Sequence, residues 1–152
     1  MNRKELLIAV TITLLNSIAN AQEMSQLYTF LINNHYSELL ENGHISKQDT
    51  LYLTCGFCDC TDNCFNYDID VKSDMIKFAY PIINETVPNE VLYFLSAPDI
   101  EGQYITIRIG CYVCHIEAGM YLMEYTGTTK YIFQYNKSKD RYIFKSKKEY
   151  GF

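Results

Sequence analysis

The apolar residues change period partway along the chain, and that change restricts the fold more than any other feature. Over residues 23–41 they recur at helical spacing, with Leu27, Leu31 and Leu39, flanked by Phe30, Tyr36 and Leu40, forming one broad apolar stripe. Asn42-Gly43 supplies the stop. Beyond it the period becomes two, the mark of strands with one buried face. Phe65, Tyr67, Ile69 and Val71 alternate with Asn66, Asp68, Asp70 and Lys72, which predicts the clearest strand of the chain. Residues 50–55, 75–80 and 91–96 predict three shorter strands, the last apolar enough for burial on both faces. Pro81, Pro88 and Pro98 fall between these runs, as ladder hydrogen bonding requires.

The second half reads as a meander. Residues 103–115 place Ile105, Ile107 and Ile109 on one face and Tyr104, Thr106 and Arg108 on the other. Gly119 is expected to turn the chain into residues 120–125 and Gly127 into residues 130–136, while Lys137-Ser138-Lys139-Asp140 leads into residues 141–147. The expectation is an α+β fold, one N-terminal helix packed on a mostly antiparallel, meander-like β-sheet, in a single domain over residues 22–152. Cystatin-like and NTF2-like layouts share a helix followed by a meander, an analogy of layout alone. His35 falls on the helix stripe and reads as a packed core residue. Tyr131, Phe133 and Tyr135 alternate along a strand and suit the packing of a sheet against a helix.

The first 21 residues read as a secretory signal peptide. Arg3 and Lys4 precede an apolar run from Leu6 to Leu15, and Ala19-Asn20-Ala21 is the small-x-small pattern that precedes cleavage, here before Gln22. The run is too short to span a bilayer, and no later segment has the length, so the mature chain is expected to have no transmembrane segment. Export, to a periplasm or the extracellular space, is the expected destination.

The formal net charge is −5, which disfavours a nucleic-acid partner because phosphate binding relies on concentrated positive charge. The charge is unevenly spread: residues 102–152 hold eight of the 13 Lys and Arg but four of the 18 Asp and Glu. Lysines flanking the last hairpin suit anionic polymers or lipid headgroups on one reading, and protection of an edge strand on the other. Asp68, Asp70 and Asp74 lack the glycine and terminal glutamate of a calcium loop. Asn84-Glu85-Thr86 and Asn136-Lys137-Ser138 match the glycosylation acceptor. No nucleophile-elbow, Walker or zinc-protease motif occurs.

Any chemistry centres on Cys55, Cys58, Cys60, Cys64, Cys111 and Cys114. An even number of cysteines in an exported chain favours structural disulfides, including a bridge from the 55–64 loop to the 111–114 strand, with the connectivity open. Three alternatives share the same residues. Cys111-Tyr112-Val113-Cys114-His115 matches CxxCH, the c-type haem attachment motif, with Met120, Met123, His35 or His44 as sixth-ligand candidates. The expected strand context opposes haem, since Cys111 and Cys114 would point to opposite faces. Cys55-Gly56-Phe57-Cys58 resembles the CGxC site of thioredoxin-like oxidoreductases, but no helix or βαβ alternation follows it. Finally, the 55/58 and 111/114 pairs have the spacing of a ribbon-like zinc site, against which oxidation during export competes. No metal or cofactor is expected.

The closing stretch, Thr128-Thr129-Lys130-Tyr131-Ile132-Phe133-Gln134-Tyr135, Arg141-Tyr142-Ile143-Phe144 and Tyr150-Gly151-Phe152, resembles the C-terminal hairpin of small uncharacterised exported proteins of Bacteroidota-type bacteria. That resemblance implies a periplasmic or secreted accessory protein and carries no activity or site residues. The sequence therefore points to a binding or interaction module, more in keeping with a non-enzyme, whose partner is an unidentified protein or small ligand.

Overall fold

The computed structural model describes residues 3–55, 68–78, 91–118 and 120–151. One helix, α1 (Arg3–Glu41), is followed by seven strands: β1 (Leu51–Cys55), β2 (Ile76–Phe78), β3 (Val91–Leu95), β4 (Asp99–Glu101), β5 (Tyr104–Glu117), β6 (Met120–Asn136) and β7 (Arg141–Tyr150). The helix starts well before the expected residue 23 and runs unbroken through Ala19-Asn20-Ala21. No glycine or proline interrupts that stretch, so nothing local ends the helix there. It stops where the sequence says. Gly43 takes φ +71°, the His44 amide donates to the Leu39 carbonyl at 2.9 Å, and the Gly43 amide donates to that of Leu40 at 3.2 Å. This pair of bonds is a Schellman cap, which needs a left-handed residue after the helix.

The strands form one sheet in the order β2-β1-β3-β5-β6-β7, with β4 on the same edge of β5 as β3. The pairs β3–β5, β4–β5, β5–β6 and β6–β7 are antiparallel, whereas β1 is parallel to both β2 and β3. The sheet is thus mostly antiparallel but mixed. Alternation reports which face a residue takes, not the direction of its neighbour, so the parallel pairs were invisible in it.

Three expected elements differ. The clearest expected strand, 65–71, is described from Asp68 onward and joins no ladder there. Its alternation is real: Ile69 and Val71 pack against the core while Asp68, Asp70 and Lys72 are exposed. Its backbone bonds to a column of polar side chains on α1 instead. Ser25 Oγ donates to the Asp68 carbonyl, and the Asp70 amide donates to Thr29 Oγ1 at 3.1 Å. Asn33 then donates through Nδ2 to the Asp70 carbonyl at 2.9 Å and accepts from the Lys72 amide at 2.8 Å. Secondly, Gly127 makes no turn, because β6 runs continuously past it. The register with β5 slips after Cys111, which pairs with Gly127 while Tyr112 pairs with Tyr125, leaving Thr126 as a bulge. Thr126 Oγ1 donates to the Cys111 carbonyl at 3.1 Å and compensates the interrupted ladder. Thirdly, β7 extends to Tyr150, and the short β4 had no apolar run to announce it.

The core lies between α1 and one sheet face. Met24, Leu27, Tyr28, Leu31, Ile32, His35 and Tyr36 descend from the helix onto Leu51, Leu53, Tyr93, Leu95, Ile105, Ile107, Ile109, Tyr131 and Phe133, all buried. Phe30 sits at the flank, 40% exposed, with its ring 5.9 Å from Phe133 and 5.3 Å from Phe144. As expected, β3 is covered on both sides: Tyr93 and Leu95 face α1 while Phe94, on the opposite face, is also buried.

Candidate functional site

A polar chain that begins in the core at His35 links the helix to three strands and reaches the surface at Lys147 and Glu149. His35 Nδ1 lies 3.2 Å from the Tyr131 hydroxyl, which donates to Glu38 Oε2 at 3.4 Å. Lys147 donates to the same oxygen at 2.8 Å and also pairs with Glu149 at 2.8 Å. With the Tyr131 proton directed at Glu38, Nδ1 of His35 is the donor and Nε2 is left as a buried acceptor without a partner. On the other side, the His35 ring meets the Tyr93 ring edge-on at 5.4 Å, and Tyr93 is paired across the sheet with Cys111.

Each group responds to this setting. Burial first, and then the Lys147 charge, lowers the His35 pKa to about 4. Burial raises Tyr131, reinforced by the charge and hydrogen bond of Glu38. Tyr93 is raised in the same way, with the Cys111 thiol as the second cause. Burial opposes the Lys147 ammonium, yet its hydrogen bonds to Glu149 and Glu38 raise it on balance, and the bond from Lys147 lowers Glu149. At pH 7 the arrangement is a neutral imidazole and two neutral phenols beside a half-exposed carboxylate–ammonium pair. Such a chain orders the helix against the sheet. None of its residues lines the two grooves that flank Phe30.

One groove, of about 470 Å³, runs between α1 and residues 68–72 and is lined by Gln22, Gln26, Asn34, Asp68, Asp70 and Lys72 beside the already bonded Ser25, Thr29 and Asn33. The other, of about 230 Å³, is aromatic and lies between α1 and the β6–β7 hairpin. There Glu23 Oε1 accepts the Tyr142 amide at 2.7 Å, covering one backbone group on the edge of β7.

Of the expected cysteine site, Cys58, Cys60 and Cys64 lie outside the described residues, as does most of the CGFC stretch. Cys55 ends β1. Cys111 and Cys114 are buried free thiols within β5. Cys111 belongs to the core under α1, and the three-residue spacing along an extended strand places Cys114 on the other face. Burial raises the Cys114 pKa. The two sulfurs therefore do not fit one porphyrin edge, nor can they share one tetrahedral zinc. His115 follows on the same strand and not on a helical turn. Among the described residues, no cluster of three His, Cys, Asp or Glu is placed to hold a metal ion. His35 is, as expected, a core residue; its link to Tyr131 was missed because the two lie 96 positions apart. Also among the described residues, no helix is long and apolar enough to cross a membrane.

Comparison with protein-family models, with curated proteins and with solved structures gives no match for this chain.

Proposed function

We propose that this chain is a small exported binding or interaction module, held by disulfides and without catalytic chemistry of its own. The observation that carries this reading is that the linked groups His35, Tyr93, Tyr131 and Cys111 are all buried between helix and sheet. The N-terminal leader pattern and the C-terminal resemblance support a periplasmic or extracellular location. Register bears on the crosslinks. Cys55 pairs with Leu95 and Cys111 with Tyr93, so β3 separates the two cysteines. Strands two apart stand about 10 Å from each other, beyond the roughly 7 Å limit for bridged Cα atoms. Any bridge from the 55–64 segment to β5 therefore uses Cys58, Cys60 or Cys64.

Intact mass, with and without reduction and alkylation, on full-length chain exported by its own leader tests the reading. The expected product starts at Gln22, is colourless, and under denaturing conditions gains fewer than six alkyl groups before reduction and six after it. Protein recovered from the cytoplasm with its leader and six reactive thiols overturns it, and an added haem mass overturns the non-catalytic part.

A further inference from the structure

The sheet face opposite α1 carries an unusual row of charge. Ile107, Ile109, Thr129 and Tyr131 are buried under the helix, so Arg108 and Lys130, which alternate with them, face the other way. Lys147 reaches Glu38 on the helix side, so Lys148 likewise faces outward. The register sets Arg108 opposite Lys130 and Lys130 opposite Lys148. Directly opposed side chains on neighbouring strands lie about 5 Å apart at Cβ, where like charges repel. Asp99 meets Arg108 at 3.3 Å, but Lys130 and Lys148 have no acidic partner among the described residues. Two ammonium groups held side by side without a counter-ion lower each other's stability unless an anion from outside joins them.

The next row adds a different chemistry. Thr128 lies opposite Tyr150, and Tyr125 donates its hydroxyl to Thr128 Oγ1 at 2.8 Å. Tyr125 and Tyr150 remain 52% and 51% exposed. The Tyr112 ring, 5.4 Å away and edge-on, steadies Tyr125 from the same face. An extended sheet surface with two half-exposed phenol rings, a hydroxyl and two unpaired ammonium groups suits a flat polar ligand that carries regularly spaced negative charge. We propose that this face, through Lys130, Lys148, Tyr125 and Tyr150, binds an acidic polysaccharide, a linear sugar polymer bearing carboxylate or sulfate-ester groups. The proposal rests on the reading of the chain as a binding module and supplies its ligand class. A membrane fits the face less well. Asp99 and Glu101 of β4 stand opposite Thr106 and Tyr104 on the same surface, and a plane of anionic headgroups would meet them. A single polymer strand lying along β6 and β7 would not.

The test is affinity electrophoresis of the full chain in gels containing polygalacturonate, dextran sulfate or uncharged dextran, with flotation on phosphatidylserine-rich vesicles alongside. Retardation by either charged polymer but not by dextran, weakening with salt, is expected. The double variant Lys130→Gln/Lys148→Gln should lose about tenfold in affinity, and Tyr150→Ala several-fold with the salt dependence kept. Lys137→Gln/Lys139→Gln, which removes the same charge from the hairpin turn, should bind as the parent does. Relief of the opposed charges should leave the Lys130/Lys148 variant at least as heat-stable as the parent. Equal loss in both double variants, undiminished binding by the first, or binding to vesicles alone would overturn the site while leaving the module reading in place. The mass experiment above tests that reading separately.

Discussion

At His35, burial and the nearby Lys147 charge act in the same direction, against the imidazolium. The native pKa of about 4 lies below the ordinary value of 6.5, so between these limits the unfolded chain takes up a proton that the native chain refuses. Stability is therefore full above about pH 6.5, falls as the pH drops toward 4, and loses on the order of 3 kcal/mol across that window. Urea midpoints measured at pH 7.5 and 4.5 should show the loss, and His35→Phe should flatten it while keeping an edge-on ring against Tyr93. An unchanged acid limb in that variant would mean that other groups set it. The core position of His35 was legible from helical spacing. Its unpaired Nε2 was not, because that depends on where Tyr131, on the sixth strand after the helix, places its hydroxyl. Cys114 illustrates the same limit from the other side: alternation put it correctly on the face away from Cys111 but did not say that this face buries it too.

Individual elements were most legible where local chemistry settles them. The cap at Gly43 is one case, since a left-handed residue after a helix favours glycine whatever packs nearby. The alternation in 68–72 is another, yet there the inference went one step too far. Period two reports an extended chain with one buried face, and an extended chain bonds to whatever donors and acceptors lie beside it. Here those belong to Ser25, Thr29 and Asn33, spaced four apart along one line of the helix. Asn33→Ala removes two of these bonds and should cost about 1–3 kcal/mol. Hydrogen exchange at the Lys72 amide, which donates to Asn33 Oδ1, should accelerate more than exchange at Ser96 or Tyr135; uniform acceleration would show that the column does not hold this segment locally. In β6, Gly127 was read as a turn because glycine is common in turns. The same residue also suits a bulge beside a close strand, and only the pairing partner distinguishes the two.

At the scale of the whole molecule, the class of fold was readable and its wiring was not. One helix before a run of strands leaves few ways to cover a sheet, so the α+β arrangement followed from order alone. The insertion of β3 between β1 and β5, with β1 parallel to it, is a property of long-range pairing that no window of residues contains. The helix also closes against the far end of the chain: Glu23 meets Tyr142 and Glu38 meets Lys147, 119 and 109 positions away. A chain ending at Asp140 loses β7 and both contacts, and uncovers Phe133 and Tyr131. We expect it to lack a cooperative thermal transition and to bind a hydrophobic dye; a sharp transition near that of the full chain would show that β7 is dispensable.

Because α1 is completed by β7, the native arrangement cannot close until residue 147 has been synthesised. Until residue 147 emerges, Glu38 lacks its lysine and one flank of the helix stays open, so the growing polypeptide remains pliable up to that point. A protein assembled in this way stays threadable until β7 is available, and becomes resistant to pulling or to a protease only after that strand has closed.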